Sequence, residues 1–241
     1  MKGITGFFMA WGMFLAIPCP VRHWHEDSRQ HMIACFPLIG GIIGGLWVLL
    51  AWLVTPLPAA VRAFILAIWP WICTGFMHLD GYMDVCDAVL SRRDLETRQR
   101  ILKDSHCGAF AVIGLVLLVL GQWSVLLHVD RFPWLVLLCI PVASRSCAAI
   151  AVLTLRPMGT SQYAAMKRNN VFLLLPILCL AGSTVVPAVW GGNFAPLATV
   201  AAYWLFAFYG YRQLDGMNGD ISGFALTLAE MAGVAVLTLV G

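Results

Sequence analysis

Long apolar runs recur along this chain, and each is close to the length of about 20 residues that crosses a bilayer as one α-helix. Hydrophobic residues make up 61% of the 241 residues and charged residues only 11%. Backbone polar groups in lipid must be hydrogen-bonded within the membrane-spanning structure, which favours helices for runs of this length. The sequence therefore predicts an all-α, polytopic transmembrane bundle, with residues 1–241 forming a single integral membrane domain.

About seven of these runs are predicted to be full spans, in addition to a shorter apolar run at the N-terminus. The predicted spans are 35–54, 61–77, 108–127, 134–155, 171–189, 194–211 and 221–240. The run at 3–17 is short for a span and ends at Pro18. It is therefore predicted to be a re-entrant or interfacial segment.

Basic residues are unevenly distributed among the connecting loops. Lys and Arg concentrate at 22–29, 92–103 and 156–168, with a further arginine at 212. In an alternating seven-span arrangement these loops share one side, which the positive-inside rule places in the cytoplasm. The net charge of only +3 is spread over the loops, so no nucleic-acid partner is expected, whereas the lipid bilayer is.

The segment 78–107 stands out because it is rich in charge within an otherwise apolar chain. Asp80, Asp84 and Asp87 have i, i+4 and i+7 spacing, which places all three on one face of a helix. Like charges this close repel, but a divalent cation that bridges a phosphorylated substrate turns them into a binding site. Because Mg²⁺ prefers a few carboxylates plus phosphate oxygens, these aspartates are predicted to bind it.

Other charged residues extend this candidate site. Asp104 could return to it through a hairpin, and His78 is a second candidate general base beside an interfacial role. Asp220, in the glycine-rich stretch LDGMNGDISG, is a further candidate metal ligand. The basic residues that accompany the acidic helix are expected mainly to fix topology, and some could clamp a pyrophosphate; they include Arg92, Arg93 and Lys103.

Two ionisable residues fall inside predicted spans. Arg145 and Glu230 are expensive to place in lipid, so each is expected to face a polar interior or a partner. Arg145 is a candidate to pair with Glu230 or to bind a substrate phosphate.

These motifs resemble those of the cobalamin synthase family, the cobalamin-5'-phosphate synthases. The resemblance is carried by HLDGYMDVCDAVLSRR followed by ILKDSHCGAFAVIGL, and by FPLIGGIIGG, the early Pro-Cys-Pro, Arg145 in ASRSCAA, and NGDISG. Three positions depart from the family pattern. Ala111 and Asn218 stand where glycine and threonine are usual, and Thr227 stands where a glutamate is common.

The resemblance implies a Mg²⁺-dependent enzyme of the prokaryotic inner membrane. Such an enzyme transfers the adenosylcobinamide-phosphate group from adenosylcobinamide-GDP to α-ribazole or its 5'-phosphate and releases GMP. The implied metal ligands are Asp80, Asp84, Asp87 and Asp220, and the candidate catalytic residues are His78, Asp84, Asp87 and Asp104. The implied substrate contacts are Arg92, Arg93, Lys103, Arg145 and Asn218. The resemblance leaves open whether the protein forms a homo-oligomer or belongs to a complex that assembles the nucleotide loop.

Two other functions fit parts of the pattern. A CDP-alcohol phosphotransferase also carries aspartates on a membrane helix, but its D-G-x-x-A-R-x8-G-x3-D-x3-D pattern is not reproduced here. A small cation transporter would explain Arg145 and Glu230 within spans. Against the transporter, most acidic residues cluster near one membrane face.

Overall fold

The computed structural model describes residues 2–21, 24–129, 132–159, 161–164, 166 and 169–240, with side chains described as far as 238. Four of the basic residues used to predict the orientation, Arg22, Arg131, Lys167 and Arg168, lie outside these ranges. Eleven α-helices occur within the described ranges: α1 (Lys2–Phe14), α2 (Arg29–Ala34), α3 (Phe36–Leu53), α4 (Ala59–Cys73), α5 (Met77–Leu90), α6 (Leu95–Ile101), α7 (Ala109–Leu127), α8 (Trp134–Thr154), α9 (Leu174–Gly191), α10 (Ala195–Leu214) and α11 (Gly219–Val240). The all-α prediction is confirmed.

Within the ranges that the structure describes, five helical segments are long and apolar enough to cross a membrane. They are Phe36–Leu53, Ala109–Leu127, Trp134–Thr154, Asn170–Gly191 and Gly219–Thr238. A sixth is reached if α4 and α5, which meet at 92°, count as one broken span. The polytopic prediction is thus supported, while the count of seven is not confirmed. Helix α10 is 20 residues long but ends in Tyr-Gly-Tyr-Arg-Gln-Leu, and it does not reach the same mean hydropathy.

Helix α1 is too short to cross a bilayer. Its 13 residues extend about 20 Å, whereas the hydrocarbon core is about 30 Å thick. The chain after α1 turns back towards the end of α4, where the N–H of Ala16 donates to the carbonyl of Cys73 at 2.8 Å. The N-terminal segment therefore docks against the bundle near the start of α5, as suits a re-entrant or interfacial element.

The break between α4 and α5 sets the direction of the acidic helix. Gly75 and Phe76 both adopt the left-handed conformation, with φ of 57° and 64°. The N–H of Phe76 donates to the carbonyl of Trp71 at 2.8 Å, which closes the end of α4. A left-handed conformation at a non-glycine residue costs about 1–2 kcal/mol, so packing of the surrounding helices must hold it. The turn lays α5 against α11 and α7.

Small residues allow the closest helix contacts in the bundle. Helix α3 packs against α8 through Gly40 and Gly44, where an added Cβ would collide with backbone atoms of Pro141 and Leu138. A neighbouring glycine, Gly45, faces open space and is exposed. Close packing through glycine is therefore confined to one side of α3.

This asymmetry predicts opposite effects for two alanine substitutions. Gly44→Ala places its Cβ 2.5 Å from the Leu138 carbonyl oxygen and should lower the free energy of unfolding by about 1–3 kcal/mol. Gly45→Ala is the matched control and should be neutral, or stabilising by up to about 1 kcal/mol, because alanine favours a helix over glycine. Thermal unfolding of the detergent-solubilised protein measures both. Equal changes in Tm would contradict the packing described here.

Candidate active site

The acidic face of α5 lines a cleft. Asp80 is exposed, whereas Asp84 and Asp87 are half-buried, and all three border about 350 Å³ of free space. The rest of the lining comes from α5 itself, the end of α6, the following loop and the start of α7: Met83, Ile101, Ser105, His106, Cys107, Gly108 and Ala111. The predicted one-face arrangement of the aspartates is therefore present, with the loop before α7 folded over it.

A fourth carboxylate comes from the distant end of the chain. Asp220 lies in the first turn of α11, and the carboxylate of Asp84 interacts electrostatically with those of Asp80, Asp220 and Asp87. The approach depends on Gly81, where an added Cβ would lie 2.9 Å from the Cα of Asp220 and 3.1 Å from its carbonyl oxygen. The structure thus brings Asp220 beside the three aspartates of α5.

None of these four carboxylates forms an ion pair with any side chain that the structure describes. The ion pairs in the described ranges are Arg29–Glu26, His106–Asp104, Arg145–Glu230 and Arg156–Asp215. In the same ranges, no three Asp, Glu, His or Cys side chains converge closely enough to hold a metal ion by themselves. Mg²⁺ is usually held through one or two carboxylates plus substrate phosphates, so unpaired carboxylates beside a cleft fit that mode of binding.

Asp104 lies at the rim of the cleft and is exposed. It accepts hydrogen bonds from the ring Nδ1 of His106 at 2.6 Å and from the His106 backbone N–H at 3.0 Å. These hydrogen bonds hold the pKa of Asp104 below its usual value. Asp104 is therefore a weaker candidate base than a half-buried carboxylate. Arg92, Arg93 and Lys103 are all exposed on the same connection between α5 and α7.

Asn218 caps α11 and contacts Asp220. Its Oδ1 accepts the backbone N–H of Ile221 at 2.9 Å, and its Nδ2 donates to Oδ2 of Asp220 at 2.7 Å. These contacts fix the carboxylate at the helix start. The turn before Asn218 is held by the segment after α8, because the Met217 N–H donates to the Arg156 carbonyl at 2.9 Å. The observed contacts of Asn218 are thus those of a positioning residue.

His78 does not line the acidic cleft. It lies in the first turn of α5 on a different side from Asp80, because residues two apart on a helix point in nearly opposite directions. Its ring is buried and stacks near Phe36 and Phe14, at centroid distances of 5.8 Å and 6.3 Å. It borders a second cavity of about 150 Å³, which Asp220 also lines.

Arg145 pairs with Glu230 inside the bundle. The Arg145 Nη1 lies 2.5 Å from the Glu230 Oε1, and the Ser144 hydroxyl donates to the same oxygen at 2.8 Å. Both charged side chains are almost fully buried, and the Arg145 guanidinium lies 5.7 Å from the centre of the Phe36 ring. The sequence suggested that Arg145 pairs with Glu230 or binds a substrate phosphate, and in the structure it pairs with Glu230.

Several residues of the site have no obvious signal in the sequence. Gly81 and Gly223 permit the contact between α5 and α11; a Cβ at Gly223 would lie 3.0 Å from the carbonyl oxygen of His78. Thr227, where the family commonly has glutamate, donates to that same carbonyl at 3.3 Å. The packing of α5 against α11 reveals their role.

The buried pair predicts a strong coupling between Arg145 and Glu230. Arg145→Met and Glu230→Gln should each cost about 3–5 kcal/mol, because each leaves the partner charge buried and uncompensated. The double variant should cost far less than the sum. A double-mutant cycle on the unfolding of the detergent-solubilised protein measures the coupling. Additive single effects would contradict the pairing, and Ser124→Ala, at an exposed position on α7, serves as a control.

Comparison with known proteins identifies the family. A family model described as cobalamin-5-phosphate synthase matches residues 6–238. Similar proteins include an adenosylcobinamide-GDP ribazoletransferase of Clostridium perfringens strain 13, 36% identical over 96% of both chains. A protein of the same name from Clostridium botulinum strain Alaska E43 is 34% identical over 97% of both chains. Another from Lachnoclostridium phytofermentans is 32% identical over 100% of this chain and 96% of the relative. No solved structure matches the chain. The resemblance seen in the motifs is confirmed, and the chain belongs to the cobalamin-5-phosphate synthase family.

Proposed function

We propose that this protein is an adenosylcobinamide-GDP ribazoletransferase of cobalamin biosynthesis, a transferase of phosphorus-containing groups. The names of its relatives supply the substrates. The observation that carries the proposal is the meeting of Asp80, Asp84, Asp87 and Asp220 beside a cleft, without a basic partner among the described side chains. Such a group of carboxylates suits a metal-assisted reaction of a pyrophosphate.

Mg²⁺ is the proposed cofactor, held by Asp84 and by one or both of Asp80 and Asp220. When bound, it supplies positive charge that neutralises the pyrophosphate and stabilises the transition state. The arrangement of the side chains supports few protein ligands, which leaves coordination positions for phosphate oxygens. Asn218 orients Asp220 for this task through the hydrogen bond to its Oδ2.

The reaction is a displacement at phosphorus. A ribose hydroxyl oxygen of α-ribazole attacks the phosphorus that is joined to the cobinamide side; it is not the 5'-hydroxyl, because the 5'-phosphate, whose 5'-oxygen is already esterified, is also an acceptor. The bond from that phosphorus to the bridging oxygen breaks, and GMP leaves with the bonding electron pair. The hydroxyl proton passes to a carboxylate that does not hold the metal, for which Asp87 is well placed because it is half-buried beside Asp84. The protein thus acts chiefly by positioning and charge.

The basic residues on the connection between α5 and α7 would balance the phosphate charge that the metal leaves uncompensated. Arg92, Arg93 and Lys103 are exposed on the connection that leads to the cleft, where the phosphate of departing GMP would pass. By the positive-inside rule, this side of the protein faces the cytoplasm of a prokaryotic cell, and the bundle lies in its inner membrane. Arg145 has a different role, since it neutralises Glu230. This pairing also weighs against a cation transporter that uses Glu230.

The decisive test is turnover by the protein reconstituted in lipid vesicles. With adenosylcobinamide-GDP and α-ribazole, GMP and a cobalamin product should appear together, and only when Mg²⁺ is present. Asp84→Asn should lower kcat by roughly 100-fold or more. Asp94→Asn is the matched control, because Asp94 caps α6 on the exposed surface and asparagine caps equally well. A folded wild type that releases no GMP would contradict the proposal.

A second prediction tests the contact between α5 and α11. Gly81→Ala should push Asp220 away from Asp84, because its Cβ meets backbone atoms of Asp220 that cannot rotate aside. We expect kcat to fall about tenfold to 100-fold, since small displacements of catalytic groups have effects of this size. Gly182→Ala, at an exposed position on α9 where an added Cβ meets nothing within 4 Å, should retain activity. Unchanged activity of Gly81→Ala would show that the contact does not position the site.

A further inference from the structure

The second cavity lies on the other side of α5 from the acidic cleft. It has a volume of about 150 Å³, comparable with a cavity that holds an aromatic ring, and lies between the N-terminal segment and helices α3, α5, α8 and α11. Its walls are mostly apolar, and include Phe14, Phe36, Ala149 and Val152. Tyr163, from the loop after α8, completes the wall and is itself buried.

One polar group in the wall lacks a partner. The ring of His78 lines the cavity and is 7% exposed, and its Nδ1 has no hydrogen-bond partner among the described residues. A buried ring nitrogen without a partner is unfavourable, and a ligand that forms the missing hydrogen bond would remove this cost. Burial raises the pKa of Tyr163 to about 12, so its phenol stays protonated and can donate.

We propose that this cavity binds the heteroaromatic base of the acceptor nucleoside, with His78 hydrogen-bonded to it. This inference rests on the proposed function. The occupant should be planar and largely apolar, because aromatic and aliphatic side chains form most of the lining. A smaller set of polar side chains completes it: His78, Gln162, Tyr163, Asp220 and Ser222. The dimethylbenzimidazole of α-ribazole has this character.

The position of the cavity agrees with the chemistry. Asp220 lines the cavity and also interacts with Asp84 of the acidic cleft. A nucleoside whose base lies beside His78 can therefore extend its ribose past Asp220 towards the carboxylates. A ribose hydroxyl would arrive where the metal and the pyrophosphate are proposed to bind. Each site then holds one of the two substrates, with Asp220 between them.

Filling the cavity tests the proposal by shape. Ala149→Leu adds three carbon atoms to the wall and should raise the KM for α-ribazole about tenfold or more, with the KM for adenosylcobinamide-GDP within twofold of wild type. The nucleoside of unsubstituted benzimidazole, which lacks both methyl groups, should be affected less than α-ribazole. Ala201→Leu, at an exposed position on α10, is the matched control and should change neither KM.

Removing the ring nitrogens tests the hydrogen bond. His78→Phe keeps an aromatic ring between Phe14 and Phe36 and should raise the KM for α-ribazole about tenfold. His128→Phe, at the exposed end of α7, is the matched control. Direct binding of α-ribazole alone to each variant in lipid nanodiscs, measured by calorimetry, should show the same order of affinities, with a heat signal that does not depend on turnover.

The outcomes separate this inference from the proposed function. Suppose that the wild type turns over both substrates, but that the cavity variants weaken the binding of adenosylcobinamide-GDP alone or of both substrates equally. This result would overturn the assignment of the cavity and leave the proposed reaction intact. Wild type that binds α-ribazole but releases no GMP would contradict the reaction alone. A selective loss of α-ribazole affinity in both variants supports the assignment.

Discussion

The close contact between α5 and α11 is the constraint on which the rest of the site depends. Gly81 on one helix and Gly223 on the other leave room only for backbone, so at these two positions each helix approaches the backbone of the other. This contact brings Asp220 to the aspartates of α5 and leaves His78 facing the other side. One helix crossing therefore creates both a charged cleft and an apolar cavity, with a shared aspartate between them.

The buried pair of Arg145 and Glu230 supports this crossing from within. A buried pair is weak evidence for stability, because desolvation offsets much of the attraction. The orientation of the Arg145 side chain is more informative. The guanidinium lies over Phe36, and Phe36 also packs near His78, so the charge fixes an aromatic side chain that walls the cavity. The pair is thus tied to the geometry of the site.

The sequence predicted what depends on local pattern and left out what depends on packing. The i, i+4, i+7 spacing placed Asp80, Asp84 and Asp87 correctly on one helix face, and the apolar runs predicted a polytopic helical bundle. The count of seven spans was not confirmed for two reasons: the predicted span 61–77 is broken at the left-handed turn of Gly75 and Phe76, and the polar end of α10 lowers the mean hydropathy of that helix. The separation of His78 from the aspartates, and the capping role of Asn218, required the positions of α1, α3 and α11. Metal binding and the substrate contacts of the basic residues remain predictions.

The central claim is that carboxylates from α5 and α11 serve one divalent cation together with the pyrophosphate. Electron paramagnetic resonance of Mn²⁺ added to the purified protein with adenosylcobinamide-GDP tests it most directly. The account predicts one tightly bound ion in wild type, with much weaker binding in both Asp84→Asn and Asp220→Asn. Asp215→Asn, which alters the exposed partner of Arg156, should bind as wild type does. Undiminished Mn²⁺ binding in either Asp84→Asn or Asp220→Asn would contradict a shared site.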